Sequence, residues 1–130
     1  MEYTAISPEL NKLSTEIIGL AIKVHTALGP GLLESSYKEC LFYEIFKAGY
    51  FVEKEKALPL IYQEVKLDIG YRIDIHVDNK LIIEIKSVES LTDVHTAQVI
   101  TYLKLSGNRL GLLMNFNVKL LKDGIKRLVL

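Results

Sequence analysis

Two carboxylates and a lysine, on what reads as one β-hairpin, are the residues of this chain best suited to chemistry. They are Asp74, Glu84 and Lys86, within Tyr71-Arg72-Ile73-Asp74-Ile75-His76-Val77-Asp78-Asn79-Lys80-Leu81-Ile82-Ile83-Glu84-Ile85-Lys86. The text reads as two strands around a turn at Asp78-Asn79-Lys80. Side chains two apart in a strand share a face. Arg72, Asp74, His76 and Asp78 are expected on one face, and Ile73, Ile75 and Val77 on the other. Glu84 and Lys86 share a face opposite Leu81, Ile83 and Ile85. For the apolar faces to coincide across an odd-length turn centred on Asn79, Asp74 must stand opposite Glu84. Facing carboxylates on a sheet repel each other, and a bound divalent cation offsets that cost. Mg²⁺ takes hard oxygen ligands and keeps several waters. The backbone carbonyl of Ile85 is a third candidate oxygen. A metal held there would acidify a bound water and neutralise phosphate charge. Lys86 beside it could orient the water or stabilise a crowded phosphate. That is the equipment of metal-dependent phosphodiester hydrolysis. The competing reading is a solvent-facing sheet surface with a cross-strand ion pair.

Helical text flanks the hairpin. Thr92 reads as an N-cap, with Asp93 in the first turn of a helix to about Leu105 that Ser106-Gly107-Asn108 ends. His95, Gln98 and Tyr102 fall on one face of it. The short link from Lys86 to Thr92 keeps the helix start near the strand end that carries Lys86. Taken singly, each of the three reads as structural before catalytic; as a group beside the hairpin, Gln98 is the best candidate to hold a water or phosphate oxygen. Earlier, Leu13 to Leu28 reads as a helix with Ser14 or Ser7 as cap and Gly29-Pro30-Gly31 as terminator. Leu33 to Ala48 reads as a second helix, stopped by Gly49. Glu34 lies in its first turn, where the helix dipole favours an anion. It shares a face with Tyr37, and a pair with Lys38 is the bland alternative for it.

The remaining text is strand-like. Phe51 to Lys56 alternates weakly, and its Glu53-Lys54-Glu55-Lys56 run suits a solvated sheet edge. Pro59 to Leu67 follows as a further strand or a continuation past a bend. Leu110 to Phe116 reads as a buried strand. Val118 to Leu120 and Ile125 to Leu130 read as closing strands around Asp123-Gly124. His25 is expected to be a satisfied core or near-site histidine, and Cys40 a core residue. Three histidines and one cysteine lack zinc spacing.

Length and composition bound the answer. The chain has 130 residues, 49% apolar and 25% charged, which suits one domain over residues 1–130 with a real core. Lys and Arg number 16, as do Asp and Glu, so the net charge is zero. That excludes a strongly basic nonspecific nucleic-acid binder, but not a small positive groove. One cysteine excludes an intrachain disulfide. Met1-Glu2-Tyr3-Thr4 has no basic start or apolar stretch of a signal peptide. No apolar run is long enough to span a membrane. A cytoplasmic protein is expected.

The motifs resemble a known family. Gly31-x-x-Glu34-x-x-Tyr37 is the signature of the GxxExxY proteins. Asp74 followed by Glu84-Ile85-Lys86 is similar to the core of the PD-(D/E)xK nuclease superfamily, with Ile73 in place of its proline. The order of Val24-His25, Gly70-Tyr71-Arg72, His95-x-x-Gln98 and Gly111 to Phe116 extends the resemblance over nearly the whole chain. It implies a mixed α/β, restriction-endonuclease-like fold, a central mixed sheet flanked by helices. It implies that Glu34 joins Asp74 and Glu84 around Mg²⁺ or Mn²⁺. It implies Lys86 as catalytic lysine and Gln98 as a supporting polar residue. With the residue reading, Lys86, Gln98 and Glu34 are the catalytic candidates, and Tyr37, His95, Tyr102 and His25 the possible supporting ones. The expected partner is DNA or RNA, and a homodimer would supply two sites for cutting two strands. The alternative is a noncatalytic module that binds nucleic acid or protein on the same fold.

Overall fold

The structure, a computed structural model, describes residues 6–130, so the Met1-Glu2-Tyr3-Thr4 stretch lies outside the described residues. Helix α1 spans Pro8–Leu28, beginning at Pro8 rather than Leu13. Ser7 Oγ accepts the Leu10 N–H at 3.2 Å, and Pro8 sits where a missing N–H costs nothing. Ser14, the other cap candidate, is interior and donates to the Asn11 carbonyl. Helix α2 spans Glu34–Lys47. Then come β1 (Val52–Ala57), β2 (Leu60–Tyr62), β3 (Val65–Leu67), β4 (Arg72–Val77) and β5 (Leu81–Lys86). Helix α3 (Asp93–Ser106), β6 (Leu110–Asn115), a 3-10 turn (Leu121–Gly124) and β7 (Ile125–Val129) complete the chain.

Five strands form one mixed sheet in the order β1-β4-β5-β6-β7. β5 and β6 are parallel because α3 carries the chain back between them, and the other pairs are antiparallel. Helices α1 and α2 pack on one face, over Ile75, Val77, Ile83, Ile85 and Met114. Helix α3 packs on the other, through Val99, Tyr102 and Leu103 against Ile73, Ile82 and Leu113. The approach of α3 is close: a Cβ at Gly111 would lie 2.7 Å from Val99 Cγ1. Only glycine fits there without a shift. Among the described residues, no helix is long and apolar enough to cross a membrane.

The hairpin register is the expected one. Ile75 pairs with Ile83, His76 with Ile82 and Val77 with Leu81, which brings Asp74 level with Glu84. Asp78 (φ 52°) and Asn79 (φ 56°) make the turn, and both residue types tolerate the left-handed region.

Four expectations are corrected. Ile73 does not share a cluster with Ile75 and Val77; it packs on the α3 side. The β1–β4 ladder pairs Lys54 with Ile75 and Lys56 with Ile73 but skips Glu55 and Asp74, and Glu55 has φ 51°. The strand turns over at Asp74, so strict alternation fails there. Pro59 to Leu67 is a separate two-stranded ribbon outside the main sheet. Val118 to Leu120 is not a strand, since His25 takes the Val118 carbonyl and binds the segment to α1. Cys40 is exposed. Helix α2 buries only Tyr37, Leu41 and Ile45, a narrow i, i+4 stripe, and Cys40 falls beside it.

Candidate metal and phosphate site

The hairpin brings Asp74 and Glu84 together where regular pairing ends. Each carboxylate accepts a backbone N–H from the opposite strand. Ile85 donates to Asp74 Oδ2 at 2.8 Å, and Asp74 donates to Glu84 Oε2 at 3.4 Å. Glu84 is 3% exposed. Its carboxyl is pushed up to about 10, first by burial, then by the hydrogen bond and the charge of Asp74. Lys86 and the Asp74 N–H pull the other way and do not prevail. The buried Glu84 carboxyl therefore keeps its proton at neutral pH, beside the half-buried Asp74.

The donor set suits a hard cation. Two adjacent oxygen-bearing side chains, one of which stays protonated unless a positive charge joins them, are what a divalent ion suits. A strand residue sends its N–H and C=O to the same neighbour. Since the Ile85 N–H meets Asp74, its carbonyl faces that side too. Glu34 does not converge with this pair: among the described residues no three His, Cys, Asp or Glu side chains form a metal-holding group. Its carboxylate instead accepts the Ser87 N–H at 3.3 Å, one residue beyond Lys86. The expected pair between Glu34 and Lys38 is absent, because Lys38 binds Glu55.

The Gly31-x-x-Glu34-x-x-Tyr37 segment shows why its residues are spaced so. Gly31 turns the chain at φ 95°. Tyr37 is fully buried and stacked on Phe116 at 4.5 Å. Its hydroxyl donates to the Gly29 carbonyl at 2.6 Å and accepts the Leu32 N–H at 3.1 Å. Ser87 Oγ donates to the Leu32 carbonyl at 2.7 Å. The motif thus lashes the α1–α2 connection to the end of β5, and Tyr37 acts through backbone rather than on a reacting group. An open depression lined by Leu32, Leu33, Glu34, Ser35 and Ser87 marks this rim.

On the other face, Gln98 Nε2 donates to the Tyr102 hydroxyl at 3.2 Å. That hydroxyl's pKa is raised, first by burial and next by the charge of Glu84. The charge of Glu84 thus reaches Tyr102, to which Gln98 is bonded. His95 is not. Its Nδ1 accepts the Thr92 N–H at 3.1 Å while Thr92 Oγ1 accepts the His95 N–H, a capping box that occupies the ring. His25 is structural: Nε2 meets the Phe116 and Val118 carbonyls at 3.1 and 2.8 Å. His76 is also tied down, between Lys56 and Asn108, and burial lowers its pKa.

Two residues escaped the sequence reading, and a third, Lys38, was read only as a partner for Glu34. Asn115, 2% exposed, pairs in register with Lys86. Its side chain accepts the Val88 N–H and donates to the Val88 carbonyl, fixing the chain beyond Lys86. A polar residue ending an apolar run was the available signal. Ser87 directly follows the Glu84-Ile85-Lys86 motif. Lys38 lies one turn after Glu34 on the same helical face, and the charge of Asp74 reaches it.

A model of the PD-(D/E)XK nuclease superfamily matches residues 11–128. The chain belongs to that superfamily. No curated protein and no solved structure matches it. Within the superfamily frame, the five-stranded mixed sheet with helices on both faces is a restriction-endonuclease-like architecture. Of the residues expected to carry the motif, Asp74 lies on β4, and Glu84 and Lys86 on β5.

Proposed function

We propose that residues 1–130 form one domain that hydrolyses phosphodiester bonds of nucleic acid with a divalent cation, Mg²⁺ or Mn²⁺. The observation that carries this is the cross-bonded pair of half-buried Asp74 and buried Glu84, with Lys86 on the same strand as Glu84. In this reading Asp74, Glu84 and the Ile85 carbonyl hold the ion. When bound, the ion would acidify a water and offset phosphate charge. Lys86 has no carboxylate within 4 Å among the described residues, so its ammonium is free for a phosphate oxygen or the attacking water. Gln98, oriented by Tyr102, supplies a second polar contact. Glu34 acts through Ser87 by holding the end of β5; the direct ligand role requires its carboxylate to leave that N–H. The open rim at Glu34 and Ser87 favours a polymer over a small nucleotide.

Calorimetry with Mn²⁺ and Mg²⁺ on the wild type and on Asp74→Ala and Glu84→Ala tests the site. Binding in the wild type alone, with cleavage lost in those variants and in Lys86→Ala, is the expected result. A wild type that binds no metal, even with an oligonucleotide present, moves the assignment to a noncatalytic module.

A further inference from the structure

Tyr71 stands three residues before Asp74 and is not part of the metal and phosphate machinery described above. Its backbone is anchored twice. The Leu58 N–H and the Arg72 guanidinium both donate to its carbonyl, at 3.0 and 2.9 Å. Its ring leans on Tyr102, with centroids 6.1 Å apart and planes at 57°. Tyr102 is 4% exposed and accepts the Gln98 amide on its hydroxyl; Tyr71 is 39% exposed. The two rings make a step, with the lower one buried in the cluster of Ile73, Ile82 and Leu113, within reach of the Glu84 charge, and the upper one partly open to solvent. Tyr71 directly precedes β4, and at extended spacing it is about 10 Å from Asp74, a reach of one or two nucleotides.

The charges around the site point the same way. Lys38 is paired with Glu55, Lys54 with Glu39, Lys56 with Glu53 and Arg72 with Asp68. The cations of β1 and of the start of β4 are therefore compensated by the protein's own carboxylates. A duplex is gripped by many uncompensated cations along both backbones. A single strand needs fewer, because aromatic side chains hold its unstacked bases. Lys86 with one anchored, open-faced tyrosine matches the second arrangement.

We propose that the site takes single-stranded nucleic acid and that Tyr71 is its base-stacking residue, seating one nucleobase while a neighbouring phosphate lies at Lys86. The inference deepens the nuclease reading and rests on it for the position of the phosphate. It also removes the need for two sites that a duplex-cutting homodimer would meet. Tyr71 contributes its ring face rather than its hydroxyl, so phenylalanine should replace it and an aliphatic residue should not.

The test is fluorescence anisotropy on the full chain with labelled single-stranded DNA, single-stranded RNA and matched duplexes. It is run in Ca²⁺ to read binding apart from turnover, and thermal unfolding is recorded for every variant. A second readout is the fluorescence of 2-aminopurine placed in the single strand, which stacking quenches. Single strands should bind at least about ten-fold more tightly than duplexes, and Tyr71→Leu should lose about that factor. Tyr71→Phe should keep both affinity and quenching. A preference for DNA or RNA then assigns the sugar. Should Tyr71→Leu unfold, quenching in the wild type and in Tyr71→Phe decides the matter. Equal or tighter duplex binding overturns the proposal, as does wild-type behaviour of a folded Tyr71→Leu. Asp74-dependent cleavage that prefers duplex would sink this inference and leave the nuclease reading intact. Tyr71-dependent binding of single strands without metal binding or cleavage would do the reverse.

Discussion

Two hairpins lie next to each other in the chain, and they differ in what covers them. β2–β3 pairs Leu60 with Leu67, Ile61 with Lys66 and Tyr62 with Val65. β4–β5 pairs Ile75 with Ile83 and Val77 with Leu81. Both are short, antiparallel and rich in branched apolar residues. In the second, Ile73, Ile75, Val77, Leu81, Ile82, Ile83 and Ile85 are almost wholly buried, because helices cover both faces. In the first, Ile61, Tyr62, Val65 and Leu67 are exposed. An isolated two-stranded ribbon is marginal in water. The turns differ as well: Asp78 and Asn79 suit positive φ, whereas the ribbon places Gln63 at φ 55°. An unfavourable carboxylate pair needs a frame that does not yield, and only the covered hairpin provides one.

The largest expected effect separates the hairpins directly. Ile83→Ala should lower unfolding free energy by about 2–5 kcal/mol in denaturant titration. Ile61→Ala should change it by no more than about 0.5 kcal/mol. Equal losses would show the ribbon to be covered in solution and erase the difference.

Next comes pH. The Glu84 carboxyl is held near 10 in the folded chain, against an ordinary value of 4.5. The folded state keeps a proton that the unfolded state releases. That contribution is fully present below about pH 4.5 and is lost as pH rises towards 10. Without metal, stability should fall on the order of 1 kcal/mol per pH unit through neutrality. Glu84→Gln should flatten that slope, and Mn²⁺, which takes the ionised form, should oppose it. A wild-type slope already flat without metal would mean that the site hairpin carries no such strain.

The smallest effect is in the ribbon turn. Gln63→Gly relieves a positive φ and should add up to about 1 kcal/mol of local stability. The readout is slower amide exchange at Leu60–Leu67, with no change at Arg72–Lys86. Slowing in both would couple the hairpins.

Much of the scaffold was legible in one sequence. Alternation and turn chemistry predicted the β4–β5 register, and with it the meeting of Asp74 and Glu84. Caps and terminators predicted α2 and α3 to within a residue or two. Less legible were the residues whose fate depends on a distant partner. The periodicity of α2 does not say how wide a stripe its neighbours cover, so Cys40 was misplaced. His95 has the spacing of a site residue, yet its nearest unsatisfied donor was the Thr92 N–H. Glu34 was expected at the metal, and its carboxylate went to Ser87, which no local pattern connects to it.

By itself the sequence determined much of the local geometry: the three helices, the strands of the sheet, most of their ends, and which residues face one another across a tight turn. These follow from backbone sterics and side-chain periodicity, which act over a few residues. Tertiary structure alone decided which faces were covered, that the ribbon stands outside the sheet, and that β4 turns over at Asp74. It also decided that Glu84 is dry enough to keep its proton. Burial and electrostatic cost depend on the whole packed surroundings, and residues far apart in the chain supply those surroundings.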